Sequence, residues 1–162
     1  MREGQAWLDD GLNEVDTRTA QRIRVFRLVT ALSSAFRTRL DRALAPSGVT
    51  SQQAALLQLV GSRATPPSLG EVAQAMNMSH QNVKQLAVAL ERKGFLKIDA
   101  DARDRRVRRL AVTPKHHRLW KRRNPHDLPM VAGWTQSLDD EQVNELVSLL
   151  LTLARDTASR GS

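Results

Sequence analysis

SLGEVAQAMNMSHQNVKQLAVALERKGFLKIDADARDRRVRRLAVT, residues Ser68 to Thr113, reads as two short amphipathic helices followed by a basic β-hairpin. Leu69, Val72, Ala73 and Met76 fall at i, i+3, i+4 and i+7, and Val83, Leu86, Ala87 and Leu90 repeat the spacing. Each set lays one apolar stripe along a helix of period 3.6. Ser68 and Glu71 have the spacing of a capping box, in which hydroxyl and carboxylate satisfy backbone N–H groups that a helix start leaves unpaired. Ser79 suits the N-cap of the second helix, and Gly94 supplies the left-handed residue that helix ends use. Only Asn77 and Met78 separate the helices. A turn that short sets them steeply across each other, as in a helix-turn-helix.

At about 100° per residue, Gln81, Lys84, Gln85, Val88 and Arg92 lie opposite the second apolar stripe, with His80 and Asn82 flanking them at the N-terminal end. Such a face suits a major groove: Gln bonds adenine N6 and N7 together, Lys reaches guanine or phosphate, and a methyl group meets thymine. A solvated polar face has the same pattern, so the helix alone does not decide. The hairpin adds a second signal. Leu96 and Ile98, then Leu110 and Val112, alternate with polar residues as half-buried strands do. Residues 99–106 between them contain neither Gly nor Pro, which predicts a long charged loop rather than a tight turn. Arg103, Arg105, Arg106, Arg108 and Arg109 crowd that loop and the strand after it, and a narrow minor groove attracts arginine. Three acids, Asp99, Asp101 and Asp104, are interspersed, so the loop is not a plain polycation.

This order of elements resembles the winged helix-turn-helix of the MarR (multiple-antibiotic-resistance regulator) family of bacterial transcription regulators. Ala73, Asn77 and Val83 match the small residue, turn residue and branched aliphatic of the general helix-turn-helix pattern. Asn77 stands in for the usual Gly, and Asn tolerates left-handed geometry. Asp104-Arg105-Arg106, followed by Leu110-Ala111-Val112-Thr113, resembles the family's wing signature. The likeness implies that Arg106 enters a minor groove, with Arg103 and Arg105 beside it, while Asp104 orients the wing through an ion pair. His80, Gln81, Asn82, Lys84 and Gln85 are the candidates for major-groove contact. Thr50, Ser51 and Ser79, at helix starts, are the candidates for phosphate contact.

The rest of the chain fits around this stretch. Residues 1–16 read as a loosely docked arm, with Trp7 and Leu8 as its possible anchors, and residues 17–162 as a single unit resembling the family. Within that unit, residues 46–113 form the winged helix-turn-helix, and residues 17–45 and 114–158 supply dimerisation helices. The predicted fold is mainly α with a small β-hairpin wing. Ile23, Phe26, Leu32, Phe36, Leu40 and Leu44 mark one long first helix, which Pro46, Ser47 and Gly48 stop. Thr50 and Gln53 form another capping box, opening a helix that ends at Gly61. Pro114 suits a first helical turn, and His116 stands where the family has Gly. Asn124-Pro125-His126-Asp127-Leu128-Pro129 predicts a break, because proline removes a donor and restricts its neighbour. Asp139 and Gln142 open a last helix whose Val143, Leu146, Val147, Leu149, Leu150, Leu151, Leu153 and Ala154 cover more than half the circumference. A helix on its own domain needs only about a 100° stripe, so a second copy is expected to cover the remainder, the alternative being a core helix of a monomer.

Composition narrows the partners. A net charge of +8 favours an anionic one, and nucleic acid or a membrane surface would serve on that ground alone. No run of about 18 uninterrupted apolar residues spans a bilayer, and MREGQAWLDDGLNEVD is too acidic to be an export signal. There is no cysteine, hence no disulfide or thiolate site. A cytoplasmic protein is the expectation. His80, His116, His117 and His126 have no familiar ligand spacing, and successive His116 and His117 are expected to point apart, so neither metal nor cofactor is expected. Nor is there a nucleophile elbow or phosphate loop, so no catalytic residue is named.

The resemblance implies a sequence-specific regulator of double-stranded DNA, a repressor by the family's usual role, reading a near-palindrome as a homodimer. It also implies a small aromatic or anionic effector held between dimer helices and winged domain, where Phe36, Arg39, His116 and Trp120 are candidates. The alternative is a winged-helix module that binds nucleic acid or protein without operator specificity.

Overall fold

The computed structural model describes residues 6–160, with side chains through Asp156. Among these residues seven α-helices and one hairpin follow in chain order, with short 3-10 turns between some of them: α1 (Ala6–Asp9), α2 (Thr17–Leu44), α3 (Ser51–Gly61), α4 (Leu69–Ala75), α5 (His80–Arg92), β1 (Leu96–Ala100), β2 (Arg108–Val112), α6 (Pro114–Ala132) and α7 (Asp140–Arg160). The chain divides into two compact units, Met1–Thr113 and Pro114–Ser162.

In the first unit α2 begins where Asp16 accepts the amides of Arg18 and Thr19 at 3.0 and 3.1 Å. Residues 1–5 of the arm lie outside the described residues; residues 6–16 make contacts to α2. Leu12, not Trp7, is the arm's buried anchor, and Trp7 is exposed. Arg24 pairs with Asp9 at 2.6 Å. One nitrogen of Arg27, Nη1, donates to the carbonyls of Trp7, Leu8 and Asp10, each at 3.0 Å. A helix end leaves such carbonyls unpaired, and a guanidinium satisfies several together.

The core of this unit is the meeting of α3, α4, α5 and the hairpin. Leu56, Leu57, Val72, Val83, Ala87, Leu90, Leu96 and Leu110 are all essentially inaccessible to solvent. Fully burying one such leucine contributes about 1.5–3 kcal/mol. Both capping boxes form, Thr50 with Gln53 and Ser68 with Glu71. Asn77, at φ 50°, takes the left-handed position between α4 and α5, and Gly94 takes another at φ 75° after α5. The strands pair antiparallel with Leu96 opposite Val112 and Ile98 opposite Leu110, which puts the apolar residues on one face. Ser68 bridges to Arg109, and the Leu110 amide donates to the Pro67 carbonyl at 2.8 Å, so the segment before α4 acts as a short third strand.

In the second unit α6 runs unbroken through Pro125 and Pro129, which corrects the expected break. The prolines remove only two N–H donors from a 19-residue helix. Arg123 and Asp127, one turn apart, hold the helix across the first of them: Nε reaches Oδ2 at 2.8 Å and Nη2 reaches Oδ1 at 3.0 Å. A two-pronged pair of this kind offsets part of the lost ladder bond. α7 opens with the reciprocal bonds expected of Asp139 and Gln142, at 3.1 and 2.9 Å.

Candidate nucleic-acid interface

α5 is sharply two-sided. Val83, Ala87 and Leu90 are buried, whereas His80, Gln81, Asn82, Lys84 and Gln85 are all exposed. Its first turn is fixed by the Ser79 hydroxyl, which accepts the Asn82 amide at 3.2 Å. Its far end is fixed by Lys93, whose Nζ donates to the Gly48 carbonyl at 2.6 Å and to Gln53 Oε1 at 2.9 Å. The helix therefore presents a row of amides, a lysine and an imidazole from a rigid seat.

The wing loop is equally built. Asp101 Oδ1 accepts the amides of Arg103 and Asp104 at 2.8 and 3.2 Å, closing the turn from inside. Asp104 accepts the Arg106 amide at 3.0 Å and holds the guanidinium by two contacts at 3.1 and 3.2 Å. Arg106 nonetheless remains 92% exposed, so the pair steers the side chain outward rather than burying it. These bonds lower the Asp104 pKa, that from the Arg106 side chain first. Arg103, Arg105 and Arg108 have no ion-pair partner among the described residues. At the wing's base, buried Thr113 donates its hydroxyl to the Gly94 carbonyl at 2.7 Å and its amide to Phe95 at 3.1 Å. That is the structural reason for a threonine at the end of the signature.

The remaining candidates fall less simply. Ser51 donates its amide to Asp41 Oδ1 at 2.6 Å, and the Thr50 hydroxyl accepts the Gln53 amide at 3.2 Å. The start of α3 thus already holds a carboxylate from α2, and at Thr50 and Ser51 the donors left for phosphate are the hydroxyls. Phe36 and Arg39 lie on α2, the first half-buried and the second exposed. On α6, His116 is buried and its ring stands edge-on to Trp120 at 6.1 Å between centroids. The rings of His116 and His117 also approach to 5.0 Å, closer than two residues pointing apart would, though only His116 is buried. Burial, and then the charge of His117, holds the His116 pKa below its ordinary value. Among the described residues no group of His, Asp or Glu is arranged to hold a metal ion, and no helix is long and apolar enough to cross a membrane.

Two contributors escaped the sequence. Asp101 could have been found, since an aspartate two and three residues before the amides it caps is a common turn device. Arg109 could not. Its side chain reaches Asp101, Glu71 and the Pro66 carbonyl, and residues 38 and 43 positions away leave no local signal.

A two-sided helix seated behind a short turn, with an arginine-tipped hairpin beside it, defines a winged helix-turn-helix protein. Residues 47–107 match the MarR family model. The chain is 32% identical over 98 residues to the transcriptional activatory protein BadR of Rhodopseudomonas palustris, a match covering 59% of this chain. It spans 55% of the length of that relative. Over the whole fold it is similar to a MarR protein of Peptoclostridium difficile, with a TM-score of 0.79 and 16% identity over 91% of this chain and 92% of the other. It is similar also to MepR of S. aureus, solved as a DNA complex, with a TM-score of 0.75 and 19% identity over 82% and 97% of the two chains.

Proposed function

We propose that this protein is a transcription regulator that binds double-stranded DNA, two copies reading a near-palindromic site. One observation carries the reading. The exposed row of His80, Gln81, Asn82, Lys84 and Gln85 stands on a helix whose opposite face buries Val83, Ala87 and Leu90 in the core, next to a wing that holds Arg106 outward. Amide and lysine side chains on such a helix meet base edges in the major groove, and arginine suits the adjoining minor groove. The solved DNA complex of MepR, a protein of similar fold, supports the same use of this one. Lysines and arginines reaching phosphate would supply much of the affinity and make it salt-dependent.

The homodimer is part of the proposal. Val25, Phe26, Leu28, Val29 and Leu32 on α2, and Leu146, Val147, Leu149, Leu150, Leu151 and Leu153 on α7, are exposed, Phe26 at 69%. Each helix alone leaves a row of large apolar side chains in water, which monomeric proteins rarely do. A second copy placing the same helices against these is the simplest closed arrangement. Release by a small aromatic or anionic effector completes the proposal. Such a ligand acts only if it binds two arrangements of the readers unequally.

Competition decides between operator binding and an unspecific module. A duplex carrying the inverted repeat beside the protein's own gene should outcompete the same duplex scrambled; equal competition favours the module. As to sign, repression follows when the site overlaps a promoter. Activation has one observation in its favour, the similarity to BadR, a transcriptional activatory protein. Reporter transcription that falls on adding the protein supports repression, and transcription that rises supports activation.

A further inference from the structure

The contact at Arg109 differs in kind from the Arg106–Asp104 pair, which closes within three residues of one loop. Arg109 Nε donates to Asp101 Oδ2 at 2.7 Å, and its Nη1 donates to Glu71 Oε2 at 3.0 Å and to the Pro66 carbonyl at 3.3 Å. The same Glu71 oxygen accepts the Ser68 amide at 2.6 Å, and the other oxygen of Asp101 accepts the amides of Arg103 and Asp104. A continuous hydrogen-bonded path therefore runs from the first turn of α4 through Arg109 to the tip of the wing.

We propose that Arg109 is a positioning residue of the interface: its guanidinium clamps the wing loop to the start of α4 and so fixes where Arg103, Arg105 and Arg106 stand relative to α5. The proposal deepens the duplex-binding reading and rests on it. A two-stranded hairpin is marginally stable by itself; here buried Leu96 and Leu110, the Leu110–Pro67 main-chain bond and the Ile98 amide's bond to Glu91 Oε1 at 2.9 Å fix its strands, whereas Arg109 ties the body to Asp101 in the loop. Alternation of faces along the strands places Asp99, Asp101 and Arg109 on the side away from the Leu96–Leu110 core face. The planar, forked guanidinium is suited to spanning acceptors that lie in different directions; an ammonium on a flexible stem is not. The clamp also explains two acids beside a surface meant for phosphates. Asp101 and Glu71 would repel DNA if left unpaired, and Arg109 lies against both.

The test uses the full chain and the duplex that the wild-type protein enriches from a random-sequence library, with Kd measured over a salt series for Arg109→Gln, Arg109→Lys, Glu71→Gln and Asp101→Asn. Gln at position 71 keeps the capping box, so α4 still starts in place. Each variant is expected to bind about ten-fold more weakly while the slope of log K against log salt stays that of wild type. The acid-to-amide changes give the sharpest sign, since by charge alone they should tighten binding. Wild-type or tighter binding by Glu71→Gln and Asp101→Asn would overturn the clamp. So would full rescue by Arg109→Lys, or a slope reduced by about one in Arg109→Gln, the mark of a direct phosphate contact. A second readout needs no DNA: hydrogen exchange at the amides of Arg103 and Asp104 should quicken in Arg109→Gln and in Glu71→Gln, and unchanged exchange would equally overturn the clamp. Should the wild-type protein enrich no duplex, the binding reading fails by itself and the exchange measurement still decides the clamp.

Discussion

Arg106 and Asp104 form the most exposed ion pair of the wing, and exposed pairs add little to stability. Their value is directional: the carboxylate limits the arcs through which a long flexible cation can swing. Arg106→Glu removes the cation and sets a third acid beside Asp104 and Asp101. It is expected to abolish binding to the enriched duplex while leaving the sedimentation of the free protein unchanged; normal binding would show that the wing does not touch DNA. Asp101 allows a second check. Its bond from the Arg109 side chain, then those from the Arg103 and Asp104 amides, lower its pKa from 3.8 to about 2. A carboxylate with a depressed folded value stabilises above its unfolded pKa, and that contribution is lost as pH falls through the folded one. The wing should accordingly keep its order at pH 4 and lose it as pH falls through about 2. Amide chemical shifts of Arg103 and Asp104 followed through an acid titration would report this, and a midpoint near 3.8 would show that the contacts do not persist in solution. The ion pair at Asp104 was implied by the family resemblance rather than by spacing, and its partner is Arg106, two residues on. Arg109 was not legible, since strand pairing alone brings it to Glu71.

At the scale of elements, helix starts were the most readable feature, because a cap is a local exchange of hydrogen bonds within four residues. Thr50 with Gln53, Ser68 with Glu71, Ser79, and Asp139 with Gln142 all form the bonds their spacing implies. The misreadings came where a distant or i,i+4 partner outweighs local preference. Arg123 and Asp127 carry α6 past Pro125, and Arg24 and Arg27 reach back to residues 7–10 of the arm. The two faces of α5 separate stability from recognition. Leu90→Ala opens a void in the core and should cost about 2–5 kcal/mol in denaturant unfolding. Gln85→Ala, on the exposed face, should change stability by no more than about 0.5 kcal/mol yet weaken duplex binding. If the two substitutions act alike on either quantity, α5 does not divide its labour as its burial pattern implies.

At the scale of the whole molecule, the apolar residues of α2 and α7 are the largest feature that a single chain leaves unexplained. A charge on that surface should be tolerated by a monomer and not by a dimer, for it would be buried unpaired. Leu150→Glu is therefore expected to shift sedimentation equilibrium toward the monomer with the helix content of the chain retained; an unchanged mass would place the contact elsewhere. Two copies related by a two-fold axis would present two α5 helices, and on B-DNA such readers enter successive major grooves roughly 34 Å apart. The most direct measurement is a hydroxyl-radical footprint on the enriched duplex. Two symmetric zones of protection about one helical turn apart, each with a flanking minor-groove protection that Arg106→Glu removes, are expected. A single unsymmetrical zone, or uniform protection along the duplex, would contradict paired, sequence-specific reading by α5 and the wing.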